Sequence, residues 1–412
     1  MFDYFQVIAT TVVILLFLSL GMVIGFPAIL IPAVTNDDNA DNLHLTMAQA
    51  SWCASLSFIF QPIGGIMTGL CLQSLGCKTV MILLNIPHIV CWLMTYYASS
   101  IYTLCFAQAF FGCVLGLIEV PGLRYVSEIS EPSVRGIIIS STSFFVSVGY
   151  LIMIFIGSLT DWRNAAAISA SLPLLCIILL ILIPESPMWL MSKGRSEDAL
   201  RSLQWLRGWT SAEVVHEEFE RIQFYSKNKT QKFLTTDHSG DSKSMIGGLS
   251  YFMTSKFLKP LSKCCMLFAI FDFGGMISFR SYLVKILQDL HSPVSSKWSS
   301  LWVALFGILG NVGCMLLIKK VKKKPMLRIS LLCCTLCLIF LTMFLLGYMR
   351  VIPDSAFHHW CPLILIVVLF FFYNLGIHPI AWAFWAKFCH TRAVDLQPVS
   401  LCAPTIFSHL SR

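Results

Sequence analysis

Long stretches of this 412-residue chain carry no charge: Ile8 to Val34, Val80 to Phe111 and Leu331 to Tyr348 contain no Lys, Arg, Asp or Glu. Only 12% of the residues are charged and 57% are apolar. That balance excludes a water-soluble globular domain. A helix crossing hydrocarbon needs roughly 20 such residues, so the bilayer is the natural solvent. Also missing are a phosphate-cradling glycine loop, a nucleophile triad and a zinc signature, so no enzyme, catalytic residue, cofactor or nucleic-acid partner is expected. Most of the 16 cysteines sit singly, many in apolar runs as at Cys91, Cys105, Cys113 and Cys176, where Cys acts as a small hydrophobe. The pairs Cys264-Cys265 and Cys333-Cys334 lack the two-residue spacing and nearby His of a zinc site, so no metal is expected. No basic residue precedes the apolar run from Phe5 to Leu20, which continues through Gly21, Gly25 and Pro27. It reads as a retained first membrane helix rather than a signal peptide.

What is present is a series of apolar segments. Hydropathy places spans near 7 to 31, 48 to 71, 79 to 97, 101 to 126, 137 to 158 and 165 to 184, and four more near 262 to 287, 299 to 318, 326 to 347 and 360 to 386. Residues 185 to 260 between them are polar and read as a loop with short amphipathic helices around Ser196 to Arg207. The expectation is an all-α polytopic membrane protein: a six-helix bundle over 1–184, a linker over 185–260, a partial bundle of four helices over 261–386 and a non-membrane tail over 387–412. Two bundles that rock against each other have this layout.

Loop charge sets the orientation. Of 29 Lys and Arg, twelve lie between Lys193 and Lys263 and six between Lys319 and Arg328; Lys78, Arg124 and Arg135 follow spans 2 and 4. These loops are expected in the cytosol, with both termini. The loop after span 1 instead carries Asp37, Asp38 and Asp41, as an external loop would. The one sequon, Asn228-Lys229-Thr230, then falls in the cytosol and is expected to be unglycosylated.

Specific motifs narrow the class. Pro184-Glu185-Ser186-Pro187-Met188-Trp189-Leu190 resembles the PESPRWL signature of the sugar porters, a branch of the major facilitator superfamily, and Lys193-Gly194-Arg195 continues it. Tyr125 to Ile129 with Arg135-Gly136 is similar to the family's YxxE…RG element, and Trp162-Arg163 to its WR pair. Ser51-Trp52 with Gln61-Pro62-Ile63-Gly64 resembles the insect trehalose and glucose transporters. The resemblance covers residues 7 to 388 and is strong to about 210. It implies the major-facilitator two-bundle fold and an integral, plasma-membrane location.

The resemblance also implies site residues. Glu128, Arg135 and Glu185 are candidate inner-gate charges that cap helices whose cytosolic ends meet when the inner gate closes. The alternative is a set of solvated interfacial charges worth under about 1 kcal/mol each. Sugar facilitators hold a neutral polyol through side-chain amides, because an amide both donates and accepts. Carried over, the sugar-binding positions fall on Ser143, Asp272, Asn374 and Trp382, with Tyr282 keeping one residue of a tyrosine pair.

Several positions depart from the family. Gln73 and Cys77 replace the acid and arginine of the loop between spans 2 and 3, and Gln108 replaces the span 4 arginine. Lys319, Lys320, Lys322, Lys323 and Lys324 fill the matching loop of the second half, and Lys387 stands at a glutamate position. Such a cluster attracts anionic lipid by about 1 kcal/mol per residue. Phe271, Asp272 and Ile277 replace two glutamines and an asparagine, so weak sugar affinity is expected. Asp272, a carboxylate inside a span, could carry a proton, be neutralised by Arg280 or His378, or reflect drift. His378 reads as a packed or hydrogen-bonded histidine, and Glu119 as a partner of Arg124. Thr391 to Arg412 lacks a 20-residue apolar run, so the sequence reads as C-terminally truncated beside the family pattern.

The functional expectation is facilitated transport of trehalose or a hexose by alternating access. The alternative is a non-transporting divergent relative that binds a partner, senses a ligand or is degenerate. Oligomeric state is not legible.

Overall fold

The computed structural model describes residues 4–35, 43–130, 135–237, 255–290, 292–318, 320–321, 323–348, 356–382 and 384. The tail over 387–412, Lys319, Lys322 and Lys387 lie outside them. Among these residues, nine helices are long and apolar enough to cross a membrane.

The first six spans are α1 (Tyr4–Thr35), α2 (Met47–Leu75), α3 (Cys77–Tyr96), α4 (Ile101–Ile129), α5 (Arg135–Leu159) and the pair α6 (Trp162–Ser169) and α7 (Ser171–Leu182). Side chains mark their starts. Thr46 and Gln49 form a reciprocal capping box at α2, and Ser100 accepts the Thr103 N–H at α4. Pro173 lacks an N–H to continue the ladder where α6 passes to α7. Apolar residues then sort by face. Leu174, Leu175, Ile178 and Ile181 are exposed on α7. In a membrane protein these are the lipid-facing side chains.

Where helices touch, small residues let their backbones meet. A Cβ added at Gly116 would stand 2.1 Å from the Gln61 carbonyl oxygen, and one at Gly112 would stand 2.2 Å from that of Ser57. These two glycines clamp α4 to α2. Gly116→Leu is therefore expected to lower stability by about 1–3 kcal/mol or more through overpacking. Gly65→Ala on the same pair meets nothing within 4 Å and should be neutral. Thermal melting of both variants in detergent checks this, and equal melting temperatures would contradict it.

After α7 the chain forms α8 (Pro187–Ser192), α9 (Ser196–Leu206) and α10 (Ala212–Asp237). Ser186 caps α8, with Pro187 in its first turn. Helix α10 runs through Asn228 to Asp237, longer than the short helices expected from the sequence. Arg207 fastens the linker to α1 by donating from Nη1 to Gln6 Oε1 at 2.7 Å and paired with Glu218 at 2.7 Å. The start of α1, Lys78 and the linker thus share one end of the molecule, the basic end.

The second half differs from expectation in one respect. Residues 262 to 287, expected as one span, fold as three segments: α11 (Ser255–Phe273), α12 (Met276–Ser281) and α13 (Leu283–Asp289). Gly275 breaks the ladder with φ +68°, a left-handed conformation that glycine adopts without steric cost. Helices α14 (Ser296–Leu317), α15 (Lys323–Met343) and α16 (Ala356–Phe372) complete the bundle. A π-helical turn at Tyr373–Ile377 extends α16 towards Trp382. Such turns often mark functional positions. The halves meet through α5 against α14, and α1 against α12 and α13.

Candidate functional site

A cavity of about 70 Å³ lies between the bundles. Phe17, Leu20 and Ile24 of α1, Phe58 and Gln61 of α2, Leu115, Glu119 and Leu123 of α4, and Thr142, Ser143 and Val146 of α5 form one side; His378 and Trp382 form the other. Trp382 packs edge-on against Phe268, with ring centroids 5.5 Å apart. Typical small-molecule sites hold about 300–1,000 Å³. This cavity therefore admits only waters until the bundles separate.

One turn further from the basic end, a polar network closes the cavity. Asn311 of α14 donates to Ser147 Oγ of α5 at 2.9 Å and to Asn374 Oδ1 at 3.3 Å. The same Asn374 oxygen accepts from Arg280 Nη2 at 3.0 Å. Tyr150 donates to the Arg280 carbonyl at 3.0 Å. The Arg280 guanidinium stands 5.7 Å from the Tyr150 ring centroid and 5.4 Å from that of Tyr373. Gly307 makes room for this network, since a Cβ there would stand 3.0 Å from Asn374 Nδ2. Beyond it, Tyr282 donates to Ser51 Oγ. Among the described residues, the hydrogen bonds that cross between bundles run from the cavity towards this far end, which is closed.

At the basic end, Glu185 accepts from the backbone N–H groups of Lys78 at 3.0 Å, Thr79 at 3.4 Å and Ser186 at 2.9 Å. It caps the start of α3 across 107 residues of sequence. Gly76 permits the approach: its φ is +86°, and a Cβ would stand 2.6 Å from Glu185 Oε2. Burial pushes the Glu185 carboxyl up from its ordinary value, against the downward pull of these N–H donors. Glu128 accepts from Arg124 Nε at 2.8 Å and from the Ser186 hydroxyl, while Tyr125 donates to the Pro184 carbonyl at 2.8 Å. Glu185→Ala should orphan the α3 donors at about 1 kcal/mol each. Site-resolved maleimide labelling of buried Cys77, at the start of α3, is expected to speed up, and an unchanged rate would contradict this role.

The sequence-expected residues therefore divide. Ser143 and Trp382 face each other across the cavity; Asn374 lies one turn away; Tyr282 is further out, on Ser51; Glu128 and Glu185 meet on Ser186. Arg135 opens α5 and Asp272 lies in α11, but their side chains fall outside the described residues. The expected Glu119–Arg124 pair is not formed. Arg124 binds Glu128, one turn away on its own helix, and Glu119 instead accepts from Gln61 Nε2 at 3.3 Å, because it faces α2 and the cavity. The sequence reading also missed carboxamides. Gln61 lines the cavity and Asn311 donates to Asn374 one turn beyond it, so carboxamides stand at the interface on helices other than the segments that carry Phe271 and Ile277. A polar Asn inside the apolar segment 299 to 318 was the available signal.

Two facing helical bundles with a cleft at their interface define the class: a polytopic membrane protein of the major-facilitator fold. The structure superposes on the E. coli xylose transporter XylE in a partially occluded inward-open conformation, with TM-score 0.72, 17% identity, and coverage of 97% of this chain and 90% of that one. For the proton:xylose symporter XylE bound to 6-bromo-6-deoxy-D-glucose the TM-score is 0.73, with 18% identity and coverage of 97% and 87%. The family model described as sugar (and other) transporter matches residues 6–393, and the chain belongs to that family. Among curated proteins it is 28% identical to the facilitated trehalose transporter Tret1 of Apis mellifera ligustica, over 84% of this chain and 66% of that one. It is also 28% identical to Tret1 of Culex quinquefasciatus, over 88% and 68%. Against Tret1 of Anopheles gambiae the chain spans 46% of the relative's length.

Proposed function

We propose that this chain carries trehalose or a hexose across the plasma membrane by alternating access, with no cofactor. The observation behind this reading is the inter-bundle cavity, where Trp382 offers an aromatic face and Ser143, Thr142 and Gln61 offer donors and acceptors from the opposite bundle. An aromatic face with convergent hydroxyls and amides suits a polyol, which buries CH faces and needs partners for each hydroxyl. Both termini lie in the cytosol in this proposal, so the hydrogen-bonded far end is the external gate, shut. Opening requires the Asn311–Ser147 and Tyr150–Arg280 bonds to break and the Glu185 end to engage. Saturable uptake of labelled trehalose or hexose into proteoliposomes, above that of empty liposomes, is the expected result; uptake equal to empty liposomes would overturn it.

Lys320 in the loop joining α14 to α15 and Lys323 and Lys324 in the first turn of α15, with Lys319 and Lys322 from the sequence, are proposed to hold anionic lipid at the cytosolic face. At about 1 kcal/mol per residue, replacing all five by Gln should strip most anionic lipid co-purified with the protein, as read by mass spectrometry. Retention of that lipid by the variant would count against the assignment.

A further inference from the structure

Arg280 is 6% exposed in the closed interface, and among the described residues its one hydrogen-bond acceptor is the neutral amide of Asn374. Its Nε–H has no hydrogen-bond partner among the described residues. No carboxylate lies within ion-pairing distance of it among the described side chains. An arginine cannot shed its proton to escape this position, and a buried cation with no counter-charge among the described side chains marks a candidate functional site in a membrane protein. Tyr150 and Tyr373 flank the guanidinium, and His378, one turn along from Asn374, lies on the wall of the neighbouring cavity. At the other end of the cavity, Glu119 and Gln61 offer acceptors and donors to hydroxyls.

We infer that the central site takes an acidic monosaccharide, a sugar carrying a carboxylate, with the carboxylate on Arg280 and the hydroxyls directed towards Ser143, Gln61 and Glu119. This deepens the proposed transport of sugars and rests on it. Opening of the far end removes Tyr150 and Ser147 from their partners, and so exposes the Arg280 Nε–H edge to the incoming ligand. A guanidinium presents parallel donors that match a carboxylate, which a neutral hexose lacks. A neutral sugar arriving there would bring no counter-charge to it.

The test uses the full chain in nanodiscs and compares binding of labelled D-glucuronate, D-glucose and trehalose, with lactate and inorganic phosphate as competitors. The expected result is a glucuronate affinity at least tenfold above that for glucose. Arg280→Gln should abolish that preference and Arg280→Lys should keep part of it. Lactate and phosphate should compete poorly, because they lack the ring hydroxyls. Equal or tighter binding of glucose or trehalose overturns the inference and leaves the sugar-transport reading standing; no binding of any sugar overturns both. Equal competition by lactate or phosphate overturns the sugar-acid assignment in favour of a generic anion site. Asp272→Asn separates the remaining source of counter-charge. If the preference for glucuronate is absent from the native chain and emerges only in that variant, Asp272 is the partner of Arg280 and the inference falls. Because the native chain's own preference is decisive, the test survives a variant that fails to fold.

Discussion

Trp382→Ala should raise the KM for the transported sugar at least tenfold, equivalent to about 1.4 kcal/mol of lost binding. The indole forms the cavity wall opposite Ser143 and Thr142, and is held by Phe268 edge-on at 5.5 Å. In the proposed site, truncation removes the broad apolar face offered to the CH surface of a sugar ring, while Ser143 and Thr142 stay in place. Trp382→Phe keeps part of that face and should lie between the two. Melting temperatures separate this effect from a packing defect, since deleting a large buried aromatic can itself cost about 3–5 kcal/mol. A Trp382→Ala protein of lower stability but unchanged KM would remove Trp382 from the sugar site.

Asn374→Leu is the second substitution with a large effect. It removes the acceptor shared by Arg280 and Asn311, and leaves a buried guanidinium without any hydrogen-bonded partner. Hydrogen bonds to charged groups are worth about 1.5–3 kcal/mol, and stranding the buried charge adds to that. We expect a loss of about 3 kcal/mol or more, read as a lower midpoint of chemical denaturation in detergent. Arg280→Leu combined with Asn374→Leu should restore much of the loss, because the stranded guanidinium is then gone. A double variant as unstable as Asn374→Leu would show that the cost lies in packing around Gly307 rather than in the charge.

The fold was largely legible because the bilayer imposes a coarse rule: about 20 apolar residues per crossing, with basic loops between them. The break at Gly275 was not legible from hydropathy. Leu267 and Phe268 before the break and Met276 and Ile277 after it are equally apolar, and the interruption depends on a left-handed backbone angle. The basic end was legible in part. Glu185 stands in a motif the sequence singles out, but its capping of α3 depends on a contact spanning 107 residues, which needs Gly76 to be glycine. Glu119 was misassigned because Arg124 is close in sequence, whereas the helix face of Glu119 turns it towards Gln61. The central network was the least legible. Arg280, Asn311 and Ser147 come from three helices, and their meeting follows from how the bundles face each other, not from any local pattern.

Alternating access is tested most directly by counterflow. Proteoliposomes containing the purified chain are preloaded with unlabelled sugar, either trehalose, a hexose or glucuronate, then diluted into a trace of the labelled form. A carrier that exposes one site to each side in turn must accumulate label transiently above its equilibrium level, since unlabelled sugar inside occupies the returning site. The predicted result is such an overshoot with at least one of the three, lost in the Trp382→Ala variant at low sugar. Label that rises to equilibrium without overshoot for every sugar, at the rate seen in empty liposomes, would contradict the transport function.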